Sequence, residues 1–320
     1  MMRFVVTAGS GFVGSNLIKK LLKKGYDVTV YDSKPKESAF RLKPIIDKIK
    51  YQNLDLENLE ILKKELKGYD VVVHFAASAN TKIGKKKTDL DLKQGTIVTY
   101  NILEAMRVNK IKKIIFSSSS NIYGNPIKIP TPEDTGMLFP VSLYGAAKLA
   151  SEGLISSFCH LFDMQSWIFR FGYVVGPDMT RGAIKDFIQK LNHNSGELEI
   201  LGNGLQQRDI IFIDDCIDGI LFSLENSNDI INVFNLGSGT TITINDIAKM
   251  IIKEMDLKNT KIKYTGGKEG WSGDIPVVHF DISKIKKLGW HPKLNAKMAV
   301  KLVVKESLEK IRRYEKFQNS

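Results

Sequence analysis

Six residues near the start of the chain, Gly9-Ser10-Gly11-Phe12-Val13-Gly14, restrict its fold more than any other segment. They follow a short apolar run, Phe4–Thr7, that reads as a strand. They open a stretch, Phe12–Lys24, whose apolar residues Phe12, Val13, Leu17, Ile18, Leu21 and Leu22 recur at the helical period, with Gly25 to stop it. Glycines at this spacing between strand and helix permit a tight turn, close backbone approach to a pyrophosphate, and close helix–strand packing. The helix N-terminus adds free N–H donors and a favourable dipole. Val28–Tyr31 reads as a second strand, and Asp32 ends it. A carboxylate about twenty residues past the glycines accepts the hydroxyls of an adenosine ribose and repels a 2′-phosphate. The segment therefore predicts a dinucleotide site at Gly9, Gly11, Phe12, Val13, Gly14 and Asp32, with NAD preferred over NADP. Lys34, Lys36 and Arg41 lie just beyond and leave room for NADP.

Strand and helix signals go on alternating: Ile49–Leu54, a short helix near Leu59–Leu66, Val71–Phe75, a helix Ile97–Val108, Lys113–Phe116, a helix Tyr144–Leu161, and Ser166–Phe171. This alternation predicts an α/β fold with a Rossmann-type doubly wound parallel sheet over 1–177. After Gly176-Pro177 the pattern loosens into Ala183–Leu191 and Leu198–Leu201, and 178–320 is expected to form mainly a smaller mixed α/β substrate domain. Ile210–Ile213 and Cys216–Leu224 read as a strand and helix returning to the first sheet, with 209–236 as the returning stretch. Val233–Leu236 lies in that stretch yet also reads, with Ile244–Met255 and the Gly266–Gly273 loop, as part of the smaller domain. Ala296–Tyr314 reads as a final basic helix.

With 320 residues, 43% of them hydrophobic, the chain can bury a large core. Its net charge of +12 raises the question of nucleic acid, but the lysines fall in pairs along helices and no aromatic residues alternate with them as a stacking platform requires. Neither nucleic acid nor a membrane is expected as a partner. Two cysteines, Cys159 and Cys216, form no metal pattern and suit a reducing, cytoplasmic setting. No metal is expected.

Tyr144 and Lys148 stand four apart, on one face of the predicted helix. A protonated lysine there stabilises the phenolate of the tyrosine and makes it usable as a base near neutral pH. They follow a serine cluster, Ser117 to Ser120. His74 reads as a packed strand-end residue, and Cys159 and His160 as pointing to different sides of one helix.

These segments together resemble the extended short-chain dehydrogenase/reductase family, in its nucleotide-sugar epimerase and dehydratase branch. Thr7–Ser15 is similar to the family's cofactor turn, and Asp55-Leu56 to the pair that holds the adenine. His74-Phe75-Ala76-Ala77 is similar to the strand end beside the cofactor, and Phe116–Gly124 to the strand carrying the catalytic hydroxyl, with Ser119 at its position. Tyr144–Lys148 matches Tyr-x-x-x-Lys, Arg170–Pro177 the entry to the substrate domain, and Gln207-Arg208-Asp209 with Asp214-Asp215 the segment whose arginine contacts a nucleotide diphosphate. The resemblance implies NAD contacts from Asp55, Leu56, Phe75, Ala76, Ala77, Ser117, Tyr144 and Lys148 as well as the glycine turn. It implies catalysis by Ser119, Tyr144 and Lys148, and substrate contacts from Ser119, Tyr144, Tyr173, Arg208, Trp271, Asp274 and Val278. It also implies a homodimer built from helices around Ile97–Arg107 and Tyr144–Leu161.

In the dehydratases an Asp-Glu pair directly follows the catalytic hydroxyl, and the decarboxylases place a glutamate where Asn121 stands. Here the residues are Ser120 and Asn121, which leaves 4-epimerisation of a UDP-glucose/UDP-galactose type substrate as the simplest outcome. A nucleotide-sugar reductase or dehydrogenase on the same scaffold, and a non-catalytic NAD-binding regulator, are the alternatives. Four departures bear on this, one of them Gly95, which stands where the family has an asparagine in the helix before Tyr100. Ala8 replaces the first glycine of the cofactor turn and is expected to be tolerated at negative φ; Tyr173 and Trp271 stand where the family has asparagine and arginine. Val278 falls at a position that gates the sugar C2 substituent, so N-acetylhexosamine forms are expected to fit too.

Overall fold

A computed structural model describes residues 1–78 and 83–318, with side chains as far as Arg313. The chain begins with β1 (Arg3–Thr7), α1 (Phe12–Lys23), β2 (Asp27–Asp32), β3 (Lys50–Asn53), α2 (Leu59–Glu65) and β4 (Val71–His74). It continues with α3 (Val98–Val108), β5 (Lys113–Ser119), α4 (Leu143–Leu161), β6 (Gln165–Phe171) and β7 (Tyr173–Val175). A π-helical turn, Leu92–Ile97, leads into α3. Next come α5 (Ala183–His193), β8 (Glu197–Ile200), β9 (Gln207–Phe212), α6 (Ile213–Asn226) and β10 (Ile231–Leu236). The last elements are β11 (Thr241–Thr243), α7 (Ile244–Glu254), β12 (Lys261–Tyr264), α8 (Ser283–Lys287) and α9 (Ala296–Gln318).

The main sheet has seven parallel strands in the order β10-β6-β5-β4-β1-β2-β3. Its strands bury both faces. Phe4 and Val6 of β1 point into a core shared with Leu17, Ile18 and Leu21 of α1 and Ile217 and Ile220 of α6. Val5 points the other way, into a core with Leu62, Ile102, Met106 and Ile155 from α2, α3 and α4. Alternation between two dry faces explains why these strands read as unbroken apolar runs. The order reverses between β1 and β4, and a doubly wound sheet binds its ligand beyond the carboxyl ends of the strands at such a switch point.

A three-stranded sheet, β11-β9-β7, and a two-stranded one, β12-β8, lie beyond β6. One expectation is corrected here. The strand predicted over Ile210–Ile213 does not return to the first sheet: β9 pairs with β7 and β11. The helix after it does return, with Lys20 of α1 bonded to Asp218 of α6 at 3.2 Å. β10 then completes the main sheet beside β6, so Val233–Leu236 belongs there and not to the smaller sheets. Gly172, just after β6, meets the backbone of β9 so closely that a Cβ would fall 2.7 Å from the Asp209 carbonyl.

Candidate active site

The glycine turn connects β1 to α1. Gly14 packs so tightly that a Cβ there would lie 2.9 Å from the Ala8 carbonyl and 3.0 Å from Gly9 Cα; one at Gly9 would meet Val30 at 2.8 Å. The start of α1 has no side-chain cap and no acidic residue in its first turn. Ala8 has φ of 51°, not the negative value expected of it. The reversal from β1 requires a left-handed residue, which lets the Ala8 carbonyl accept from Gly11 N at 3.0 Å while Ala8 N donates to Tyr31 O at 2.8 Å.

Asp32 is buried at the end of β2, accepting from Ser10 N at 3.0 Å and from Lys34 N at 3.1 Å. It and Gly11, Phe12, Val13 and Gly14 line one cavity of about 530 Å³. Bare glycine backbone, an uncapped helix start and a fixed carboxylate fit an NAD pyrophosphate and adenosine ribose. Phe75, Ala77 and Ser117 line the same cavity, whereas Gly9, Asp55, Leu56 and Ala76 do not. Gly9 packs behind the turn. Asp55 caps its own loop through Glu57 N at 3.0 Å, and the Leu56 carbonyl accepts from Asn101 at 3.2 Å. Ala76 N donates to the Thr7 hydroxyl at 3.0 Å, which pins the loop after β4 to β1.

His74 is fully buried between the hydroxyls of Thr7 at 2.9 Å and Thr99 at 3.1 Å. Burial, with Lys148 nearby, pushes its pKa down to about 3, so it stays neutral and structural. Cys159 is buried in its helix and His160 exposed, which separates them as expected.

The candidate reactive groups meet where β5 ends against the start of α4. Ser142 caps that helix by accepting from Gly145 N at 3.1 Å, which fixes where its first turn begins. Tyr144 and Lys148 then face β5 on successive turns. The Lys148 ammonium donates to the Ser117 carbonyl at 2.5 Å and lies 4.5 Å from the centroid of the Phe116 ring and 5.9 Å from that of Tyr144. Burial pushes the Lys148 pKa down to about 7, against the pull of Glu152. Burial pushes Tyr144 up to about 12, and the Ser119 hydroxyl beside it pulls the other way. The Ser119 oxygen accepts from Asn121 N at 3.2 Å and Asn121 Nδ2 at 3.1 Å. A hydroxyl has two acceptor sites and one donor, so Ser119 keeps its proton to donate into the cavity. The arrangement can move a proton on and off a substrate oxygen and hold that oxygen by a second hydrogen bond.

A second chamber of about 580 Å³ adjoins the first, and Tyr173, Arg208, Trp271 and Asp274 line both. Arg208 Nη2 donates to both Asp274 oxygens, at 2.8 and 2.9 Å, and Nη1 to the carbonyls of Ile275 at 2.8 Å and Gln207 at 3.0 Å. The predicted clamp is thus a planar fork already anchored to the chamber wall. The Tyr173 hydroxyl reaches the start of α5, so close to Gly182 that a Cβ there would sit 2.1 Å from it. Val278 lines the first chamber, held beside β9 by its N–H to the Gln207 carbonyl at 3.0 Å.

Sequence reasoning missed Ser10, Phe171, Gly172 and Ile275, which also line the first chamber. Phe171 and Gly172 were findable, because they lie at the carboxyl end of β6 and just past it, where ligand sites form. Ile275 has no sequence signal; it is brought in by the Arg208–Asp274 pair.

A parallel sheet with a glycine cradle at its switch point, beside a buried serine and lysine and a half-buried tyrosine, defines a nicotinamide-cofactor enzyme of the short-chain dehydrogenase/reductase type. Residues 4–237 match the model of the NAD dependent epimerase/dehydratase family, and the chain belongs to that family. It is similar to a Methanocaldococcus jannaschii protein, 31% identical over 94% of this chain and 96% of that one, whose assignment as a UDP-glucose 4-epimerase is itself provisional. It is also similar to a UDP-glucuronate 4-epimerase of Thermodesulfobacterium geofontis, 30% identical over 96% of this chain and 97% of that one. Among solved structures, the UDP-glucose 4-epimerase of Thermotoga maritima with UDP-glucose superposes with a TM-score of 0.86 at 28% identity, over 97% of this chain and 100% of that one. The chain is thus an NAD-dependent epimerase. Among the described residues no helix is long and apolar enough to cross a membrane.

Proposed function

We propose that this enzyme is a nucleotide-sugar 4-epimerase acting on UDP-hexoses through a transient 4-keto sugar. One observation carries the choice among the family's reactions: the positions after Ser119 are Ser120 and Asn121, and among the described residues no carboxylate free to act as acid or base stands beside Tyr144 on the cavity wall. Among the described residues lining the first chamber, Asp32 is held by two backbone N–H groups and Asp209 by those of Ser238 at 2.7 Å and Phe280 at 3.2 Å. Asp274 is held by Arg208.

In this reading Tyr144 takes the proton of the sugar O4 and later returns it. Lys148 stabilises the phenolate, and Ser119 donates a hydrogen bond to O4 and orients it. NAD, when bound, supplies the hydride acceptor and donor for C4. Gly11, Phe12, Val13, Gly14 and Asp32 hold it, with Phe75, Ala77 and Ser117 beside it. A keto sugar that turns over in the cavity would receive the hydride back on its other face while Tyr144 returns the O4 proton, and so be inverted at C4. The second chamber takes the nucleotide, with Tyr173, Arg208, Trp271 and Asp274 on the shared wall. Residues 1–177 mainly serve the cofactor and 178–320 mainly the substrate. Relatives bearing UDP-sugar 4-epimerase names support the substrate class. Val278 in place of a bulkier side chain supports acceptance of UDP-N-acetylglucosamine beside UDP-glucose.

The test is turnover of a UDP-sugar panel with absorbance followed in the NADH band. Epimerised product without net NADH is expected. Steady NADH release would make the enzyme a dehydrogenase, and refusal of the acetamido sugar would remove the role given to Val278.

A further inference from the structure

Beneath Lys148, one more helical turn along α4, stands Glu152. Tyr144, Lys148 and Glu152 follow at i, i+4 and i+8 and so share one helix face. Glu152 is buried, and both its carboxylate oxygens accept hydrogen bonds. Its Oε1 accepts from Arg170 Nε at 3.1 Å and from the Ser118 hydroxyl in a short contact; its Oε2 accepts from Arg170 Nη2 at 2.8 Å. Arg170 is on β6, and Ser118 on β5 between Ser117, which holds Lys148, and Ser119, which faces Tyr144. The far side of Arg170 is tied down as well. Its Nη1 donates to the Tyr123 hydroxyl at 2.9 Å and the Glu133 carbonyl at 2.8 Å, and Tyr123 donates to Asn235 of β10 at 2.7 Å.

We infer that Glu152 is a positioning residue for the Tyr144–Lys148 pair, acting through Lys148, and that Arg170 and Ser118 hold it in place. This rests on the reading of Tyr144 as the proton acceptor. The geometry gives Glu152 two tasks. By bonding Ser118 it fixes the register of α4 on β5, so that Lys148 meets the Ser117 carbonyl and Tyr144 meets Ser119. By bringing a carboxylate one turn below a buried ammonium it favours the charged form of Lys148.

The groups facing Lys148 from each packed element bear this out. β4 contributes His74, kept neutral by burial; β5 contributes the Phe116 ring and the Ser117 carbonyl. α4 contributes Tyr144 and Glu152. Asp91, buried before α3, raises Tyr144. Glu152 is the group that raises Lys148. Burial works against the charge on Arg170, but Glu152 outweighs it, so the carboxylate keeps a permanent cation on its other side.

The experiment measures the proton on Lys148 directly. Enzyme as purified, carrying ¹³Cε-labelled lysine, is titrated by NMR, with the Lys148 signal assigned by its absence in Lys148→Met. Glu152→Gln leaves Arg170 buried without its partner, so a second variant, Glu152→Gln with Arg170→Met, removes both charges together. In folded Glu152→Gln the Lys148 midpoint is expected to fall by about one pH unit, a tenfold loss of proton affinity, and in the double variant to fall by less, because loss of the Arg170 cation favours the charged lysine. The basic limb of the kcat profile is expected to move to lower pH with it, because Lys148 then loses its proton sooner, while KM holds. A double variant that folds and keeps both the midpoint and the limb of the parent overturns the inference. So does a fall in kcat with the midpoint unmoved, which would make the pair a packing element only. Failure of the proton-acceptor reading is distinguishable, since it is read by turnover in Tyr144→Phe and the lysine titration needs no turnover.

Discussion

Replacing Lys148 by methionine should abolish turnover and yet make the cofactor-free protein more stable at neutral pH. The side chain is 3% exposed, and burial pushes its pKa down from the ordinary 10.5 to about 7. Between those two values the unfolded chain binds a proton that the folded protein has largely released. Stability therefore rises with pH across that window, and the full penalty applies below it. From the two pKa values the lysine costs about 4 kcal/mol at pH 7 and about 2 kcal/mol at pH 9. Methionine removes this term but leaves the Ser117 carbonyl without its donor, a loss of about 1–2 kcal/mol. The variant should gain about 2 kcal/mol over the parent at pH 7 and come close to parity at pH 9. Urea unfolding of both proteins at the two pH values, followed by tryptophan fluorescence, measures this. The comparison between proteins cancels every other titrating group. A variant less stable than the parent at pH 7, with a gap that does not change by pH 9, would refute a buried, partly discharged Lys148.

Tyr144→Phe should lose at least a thousandfold in kcat while NAD affinity by calorimetry stays within a few-fold, since it removes the proton acceptor and little else. Ala8→Gly should relieve the left-handed strain at φ 51° and stabilise by about 1 kcal/mol, seen as a rise of about 2 °C in melting temperature. Gly14→Ala puts a methyl against backbone that cannot yield, at 2.9 and 3.0 Å, and NAD should bind more than about tenfold weaker. The family resemblance implies a homodimer through the helices around Ile97–Arg107 and Tyr144–Leu161, where Ile97 and Leu161 stand 43% and 72% exposed; on that proposal the parent should sediment as a dimer and Ile97→Glu with Leu161→Glu as a monomer.

The alternation of strand and helix was legible because a strand buried on both faces is apolar without a break, and the cofactor turn because glycine spacing reflects backbone contact. The proposed catalytic pair could be picked out for a related reason: Tyr144 and Lys148 share a helix face, and a helix is a local object, whereas Ser119 was placed by the family resemblance. What escaped depends on partners far along the chain. Ile210-Ile211-Phe212 reads as a central parallel strand and is buried like one, but periodicity says nothing of which sheet takes it. Arg208 reads as free to grip a phosphate until Asp274, sixty-six residues later, is seen to hold it. The φ of Ala8 follows from the direction in which β1 must turn, which no propensity encodes. Glu152 sits at a legible spacing from Lys148, but its importance comes from Arg170 on a neighbouring strand.

The position of β10 at the edge of the main sheet has a consequence for the order of events during synthesis. Ser119, Tyr144, Lys148 and the whole of β6 leave the ribosome about 60 residues before β10 does, an interval of roughly 3–12 s at ordinary elongation rates. Through that interval β6 has β5 on one side and bare N–H and C=O groups on the other, the kind of edge that recruits a foreign strand. The nascent protein thus carries its proposed reaction centre before it can seal the sheet that supports it, and the window before β10 docks is where a chaperone has the most to protect.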